Sequence, residues 1–149
     1  MNLTDKINND IKAAMLAKEK EKLEALRAIK SALLLLSTEK GASENTNEEA
    51  ELKMLQKLVK QRKEAAEIFR TQGRADLADV EEFQSKIIEV YLPAQLSEDE
   101  IKNAVQQIIT QTGAASAADF GKVMGIAAKQ LGGKADGKII SAVVKQLLA

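Results

Sequence analysis

At 149 residues, with 22 lysines and arginines balanced by 22 aspartates and glutamates, the chain has no formal net charge and no global field to draw it to nucleic acid or an anionic membrane. It has no cysteine, which excludes disulfides, thiolate metal sites and a cysteine nucleophile, and no histidine, which removes the usual general base and the commonest transition-metal ligand. Its apolar residues make up 45% of the chain but only 3% is aromatic, so they are chiefly Leu, Ile, Val and Ala, and no stretch alternates as a strand would; the expected fold class is all-α.

Thr4 or Asp5 can cap a first helix with Leu3, Ile7, Ile11 and Met15 on one face. The charged run Lys18-Glu19-Lys20-Glu21-Lys22 reads as a bend between two helices or as continuous helix with mixed ion pairs on its surface, the bend being preferred. Beyond it Leu23, Leu26, Ile29, Leu33 and Leu36 form a seam, with Leu34 and Leu35 widening the apolar surface toward a bundle interior. The polar stretch from Thr38 to Asn47 reads as a reversing loop, and Thr46 with Glu49 as a capping box for a third helix bearing Leu52, Leu55, Val59, Arg62, Ala66 and Phe69. Gly73 can end that helix and Asp76 cap a fourth, whose stripe is Leu77, Val80, Phe83 or Gln84, Ile87 and Tyr91; the two make an antiparallel hairpin.

The only proline, Pro93, follows the only tyrosine, Tyr91, and it disfavours helix in the residue before it, so the fourth helix should stop by Leu92. Ser97 and Glu100 then form a capping box for the next helix. The Tyr91-Leu92-Pro93 segment is therefore read as a hinge between an N-terminal helical domain of about four helices, residues 1–93, and a small three-helix domain, residues 94–149. In the latter, Ile101, Ala104, Val105 and Ile108 mark a helix closed by Gly113. Ser116 with Asp119 opens a second, carrying Phe120, Val123, Met124, Ala127 and Leu131, broken at Gly132-Gly133. Asp136 caps a third with Ile139, Ile140, Val143, Val144 and Leu147 as its core face.

Three features exceed what a plain bundle needs. Arg62 falls on an apolar stripe and requires a partner, for which Glu81 or Glu82 across the hairpin is the natural choice, with Arg70, Arg74 and Asp76 at the turn; the network reads as a clamp. Lys53, Lys57, Lys60 and Lys63 run along the third helix toward Arg70 and Arg74, where a phosphate backbone could lie, but the interleaved glutamates favour a soluble mixed-charge surface. Finally, Gly121 and Gly125 lie within a helix, where glycine is unfavourable by roughly 1 kcal/mol relative to alanine. Close helix packing is the plain reason for them. A ligand backbone approaching among Lys122, Lys134 and Lys138, with free N–H groups at the start of the last helix to receive a phosphate, is the sharper one.

These stretches resemble the YqeY-like family of the GatB/YqeY superfamily: Leu26-Arg27-x-Ile29-Lys30, Gln61-Arg62-Lys63-Glu64, Gly73-Arg74-x-Asp76-Leu77, Tyr91-Leu92-Pro93, Gly121-Lys122-Val123-Met124-Gly125 and Gly133-Lys134-Ala135-Asp136-Gly137. The six fragments span essentially the whole chain in the family's order. The resemblance implies a helical N-terminal domain and a small helical C-terminal domain similar to the tail of the B subunit of tRNA-dependent amidotransferase. In that enzyme the tail is thought to contact tRNA, while amidation belongs to other parts. The family's label of carbon-nitrogen ligase with glutamine as amide donor thus passes through a tail that lacks the chemistry. The family's segments map onto Gly121, Lys122, Met124, Gly133, Lys134 and Ala135; where the tail commonly has proline or asparagine next, this chain has Asp136.

The function expected is a non-catalytic module binding tRNA, or a tRNA-modifying or aminoacylating enzyme, through Lys122, Lys134 and Lys138, helped by Lys129 and Lys145. Arg62, Arg74, Asp76, Tyr91, Pro93, Gly121, Met124 and Gly133 are read as structural. No catalytic residue, metal ligand or cofactor is expected, and neither is a membrane partner, because the longest apolar run, Ala32 to Leu36, is far too short to span one. The N-terminal residues carry no apolar leader-like stretch, so a cytoplasmic location is expected. Oligomeric state is left open. The alternative function is a protein-interaction module with no nucleic-acid role.

Overall fold

A computed structural model describes residues 2–39 and 48–149. Over these residues the chain is all-helical, with no strand: α1 (Leu3–Leu16), α2 (Lys20–Glu39), α3 (Glu48–Thr71), α4 (Ala75–Glu89), α5 (Glu98–Thr112), a single 3-10 turn (Ala117–Asp119), α6 (Phe120–Leu131) and α7 (Gly137–Leu148). The capping box expected at Thr46 falls outside the described residues. The helices gather into two compact units, Met1–Leu92 and Pro93–Ala149.

In the first unit α1 is capped by Asn2, whose Oδ1 accepts the Asp5 N–H at 2.8 Å, rather than by Thr4 or Asp5. The expected bend is present: α1 ends at Leu16, α2 begins at Lys20, and Lys18 turns the chain with a φ of 57°. The core gathers Ile7 and Ala14 of α1, Leu26, Ile29 and Leu33 of α2, Leu55 and Val59 of α3, and Ile88 of α4. Met15, expected on the buried face, is 54% exposed, and Ala14 is buried instead. A strict four-residue spacing overshoots the helical turn by about 40° at each step, so three steps from Leu3 carry Met15 well off the buried stripe. Leu34 and Leu35, expected to face the interior, are likewise exposed, at 59% and 62%. Four consecutive leucines point around most of a helix, and the core accepts only Leu33 with part of Leu36.

The α3–α4 hairpin turns at Gly73, whose φ of 74° suits a residue without Cβ. Asp76 does not cap α4. The cap position is Arg74, which makes no side-chain cap bond, and Asp76 sits in the first turn, where its negative charge complements the helix dipole. The fourth helix buries Ala78, Ser85 and Ile88, a stripe displaced by one residue from the larger apolar side chains, most of which lie half-buried beside it. Of the two candidates Phe83 and Gln84, Gln84 is turned inward and Phe83 is exposed. After Glu89 the helix unwinds through Tyr91 N–H to Ile88 O and Leu92 N–H to Glu89 O, each 3.0 Å, before Pro93.

In the second unit α5 begins with the Ser97–Glu100 capping box: the Glu100 N–H donates to Ser97 Oγ at 3.2 Å and the Ser97 N–H donates to Glu100 Oε1 at 3.0 Å. It ends at Gly113. Ser116 opens the 3-10 turn, accepting from the Ala118 N–H, and Asp119 reaches back to accept from the Ala115 N–H at 3.0 Å. The core collects Ile101, Val105 and Ile108 of α5, Val123, Ala127 and Leu131 of α6, and Ile140, Val143, Val144 and Leu148 of α7, with Ala135 between them. Ile139, expected on this core face, is 45% exposed, and Leu148 completes the stripe instead, because the 140, 143, 144, 148 spacing follows the helical repeat and residue 139 lies off it.

Candidate nucleic-acid interface

From Gly113 to Ala149 the chain carries five lysines and only two acidic residues, Asp119 and Asp136. The remaining acids of this unit, Glu98, Asp99 and Glu100, occupy the first turn of α5. A neutral chain thus segregates its charge locally, and local charge is what a phosphate backbone senses.

Lys122 and Lys129 are seven residues apart on α6, and Lys138 and Lys145 seven apart on α7, so each pair lies along one stripe two turns long. All four are exposed, away from the buried stripes of their helices. Lys134 is exposed on the turn between the helices. The α7 stripe is tied to α6 at one end: Lys145 Nζ lies 5.8 Å from the centre of the Phe120 ring, a cation–π contact that sets the last turn of α7 beside the first of α6. Lys138 faces a different neighbourhood, a groove of about 370 Å³ between the starts of α5 and α7 that it shares with Glu98, Ile101 and Ile139. Among the described residues, none of the five ammonium groups has a carboxylate within 4.0 Å, whereas Lys102 of α5 pairs with Glu98 at 3.9 Å.

The turn carrying Lys134 is held firmly. Leu131 ends α6, and Gly132 follows where a Cβ would lie 2.8 Å from the Ala128 carbonyl oxygen, so only glycine fits. Gly133 is buried with a φ of 79°. Its carbonyl accepts from Gln95 Nε2 at 2.7 Å, and the Lys134 carbonyl accepts from the Leu96 N–H at 2.9 Å. The backbone under Lys134 is thereby fixed while its side chain stays exposed.

One expectation about this site is corrected. Gly121 and Gly125 are not explained by close helix packing: both are exposed, and a Cβ built on either meets nothing within 4 Å. At the start of α7 one N–H is already taken, because Asp136 caps the helix and its Oδ1 accepts the Lys138 N–H at 2.9 Å. Met124 is half-buried against the core.

Arg62 and Arg70 bridge α3 to α4, with different partners from those expected. Arg62 pairs with neither Glu81 nor Glu82; its Nε donates to Gln84 Oε1 at 3.1 Å and its Nη1 to the Leu58 carbonyl at 3.2 Å. Glu82 is taken by Arg70, whose Nη2 lies 2.8 Å from it and 3.0 Å from Asp79. An arginine at the stripe's edge meets neutral acceptors, and the acids pair with the arginine nearer the turn. Arg74 holds Asp76 through two contacts of 3.2 Å, which keeps the Asp76 carboxyl below the usual carboxylate range. Lys53 and Lys63 of the α3 stripe pair with Glu49 at 3.5 Å and Glu89 at 2.8 Å, so that stripe is in good part neutralised.

Tyr91 has a role the sequence alone did not reveal. Its hydroxyl donates a short hydrogen bond to Asp10 Oδ2, linking the end of the unit to α1. Partial burial, and then the Asp10 carboxylate, raise the phenol well above its ordinary pKa. Two residues 81 apart in sequence carry no local signal of such a pairing.

No helix among the described residues is long and apolar enough to cross a membrane. The family model described as Yqey-like protein matches residues 4–148. The chain is also 34% identical over 112 residues to Altered inheritance of mitochondria protein 41, mitochondrial, of Clavispora lusitaniae (strain ATCC 42720), a match covering 73% of this chain and 64% of that relative. The matched region therefore spans just under two thirds of the relative's length.

Proposed function

We propose, from the premise that this chain belongs to the YqeY-like family, that it is a non-catalytic module that binds tRNA or accompanies a tRNA-modifying enzyme. Its contacts are to phosphate, made by Lys122, Lys129, Lys134, Lys138 and Lys145, and the Tyr91-Leu92-Pro93 segment serves as the hinge between its two domains. One observation carries the reading: the outward side of α6 joins two unpartnered lysines to two glycines that no other part of the unit packs against. Gly125, in the helix interior, weakens α6 by about 1 kcal/mol relative to alanine, and nothing within the unit compensates. Approach of a bulky ligand backbone between Lys122 and Lys129 gives that glycine a use. Recognition of this kind reads shape and phosphate position rather than base sequence.

The test is fluorescence polarisation of labelled tRNA with the full chain at stepped salt. The double variant Lys122→Glu and Lys129→Glu is expected to weaken binding by on the order of tenfold or more and to flatten its salt dependence. No binding at low salt, or an unchanged affinity and salt slope in the variant, would remove the proposal.

A second reading, docking of a protein partner, is favoured by the exposed Ile139 beside the groove that Leu96, Ile101, Ala142 and Val143 line. Pull-down after nuclease treatment separates the two: a partner that survives nuclease favours docking, and one that is lost favours RNA.

A further inference from the structure

One side of each helix of the α3–α4 hairpin lines a cleft of about 500 Å³. Its floor carries only short side chains, because Ala66 and Ser85, each 3% exposed, are the residues that meet at the bottom. An ion pair closes each end. Lys63 Nζ lies 2.8 Å from Glu89 Oε1 at one, and Arg70 Nη2 lies 2.8 Å from Glu82 Oε1 at the other. Two turns of helix separate the pairs on each arm of the hairpin, about 10 Å, which suits a molecule the size of a free amino acid.

Between the closed ends stand Glu67 on α3 and Lys86 on α4, both exposed, and among the described residues neither side chain has an ionic or hydrogen-bonding partner. The lining holds three cations and three carboxylates, so it favours no ion of one sign. What it leaves unsatisfied is one charge of each sign on opposite walls. We propose that this cleft binds a small zwitterion of the α-amino acid class, its ammonium on Glu67, its carboxylate on Lys86 and its side chain over the Ala66–Ser85 floor. Ser85 Oγ donates to the Glu82 carbonyl at 2.8 Å, which leaves its lone pairs as acceptors at the cleft's floor. The two flanking ion pairs keep Lys63, Arg70, Glu82 and Glu89 from competing for the ligand's charges.

The site is independent of the lysines of the second unit, and its test does not depend on them. Saturation-transfer NMR on the full chain, with the proteinogenic amino acids presented singly, is expected to give transfer for a subset of them. That transfer should disappear for the N-acetyl and α-amide derivatives of the same amino acids, each of which removes one charge. Glu67→Gln and Lys86→Gln should each weaken binding by about tenfold or more, since each removes a charge-assisted hydrogen bond. Because both side chains are exposed and unpartnered, the variants should keep the wild-type melting temperature. Absence of transfer from every amino acid, equal binding of the acetylated or amidated forms, or full binding by the two variants would overturn the proposal.

Discussion

Tyr91 is the residue on which the first unit's closure turns. Its hydroxyl bonds a carboxylate 81 positions away, so the contact acts across the whole unit rather than within one helix. The Tyr91→Phe change removes that donor and leaves the ring, and a half-exposed bond to a charged acceptor predicts a loss of about 1 kcal/mol in urea unfolding. The sign of the pH dependence follows from the raised folded pKa. Unfolded tyrosine ionises near pH 10, while the folded phenol keeps its proton beyond that point, so the unfolded state binds fewer protons and stability falls as pH rises above about 10. The difference between wild type and Tyr91→Phe isolates the tyrosine, and it should shrink with rising pH; a difference constant from about pH 8 to 11 would contradict the assignment. Arg62 makes a related point. Its place on an apolar stripe demands a partner and one exists, but the partner is an amide, because spacing along a helix fixes which side chains can meet and not which of them will.

At the scale of the helices, caps and breaks are legible in the sequence where chemistry is local. Ser97 with Glu100, Gly113, and Asp136 at the start of α7 all act as their residue types dictate. The Glu100 carboxyl is held below its ordinary range by the Ser97 N–H, so this box stabilises α5 above that range and loses its effect as pH falls. Buried faces are less legible. In α4 the largest apolar side chains suggest the inner face, yet the helix buries Ala78 and Ser85, because α3 approaches closely and small residues admit it. The same weight on large side chains hides the cleft above Ala66 and Ser85. In α6 the glycines suggest close packing, which their open surroundings do not support. Gly125→Ala should therefore raise stability by about 0.5 to 1 kcal/mol in thermal or urea unfolding. It should also weaken tRNA binding if the glycine admits a phosphate backbone; a gain in stability with unchanged affinity would assign Gly125 no part in binding.

At the scale of the whole chain, each unit holds its own core: every buried residue of one cluster lies between Ile7 and Ile88, and of the other between Ile101 and Leu148. Residues 1–92 and 93–149, expressed separately, should each give helical circular dichroism with cooperative melting. The smaller should melt lower, because about fifty residues bury a lesser fraction of their surface. Non-cooperative melting of both fragments would show that neither core suffices. The all-α class and family membership can be read from sequence because composition and ordered motifs carry them along the whole chain. The charge segregation that matters for function can be read only in part, since a net charge of zero conceals where the acids are occupied. The most direct test of tRNA binding is the salt dependence of tRNA affinity for the intact chain. If four of the five lysines meet phosphates, log K should fall against log salt with a slope of about −3, and each lysine removed should lower that slope by just under one. A slope near zero, or one that Lys122→Glu, Lys129→Glu and Lys134→Glu leave unchanged, would contradict it.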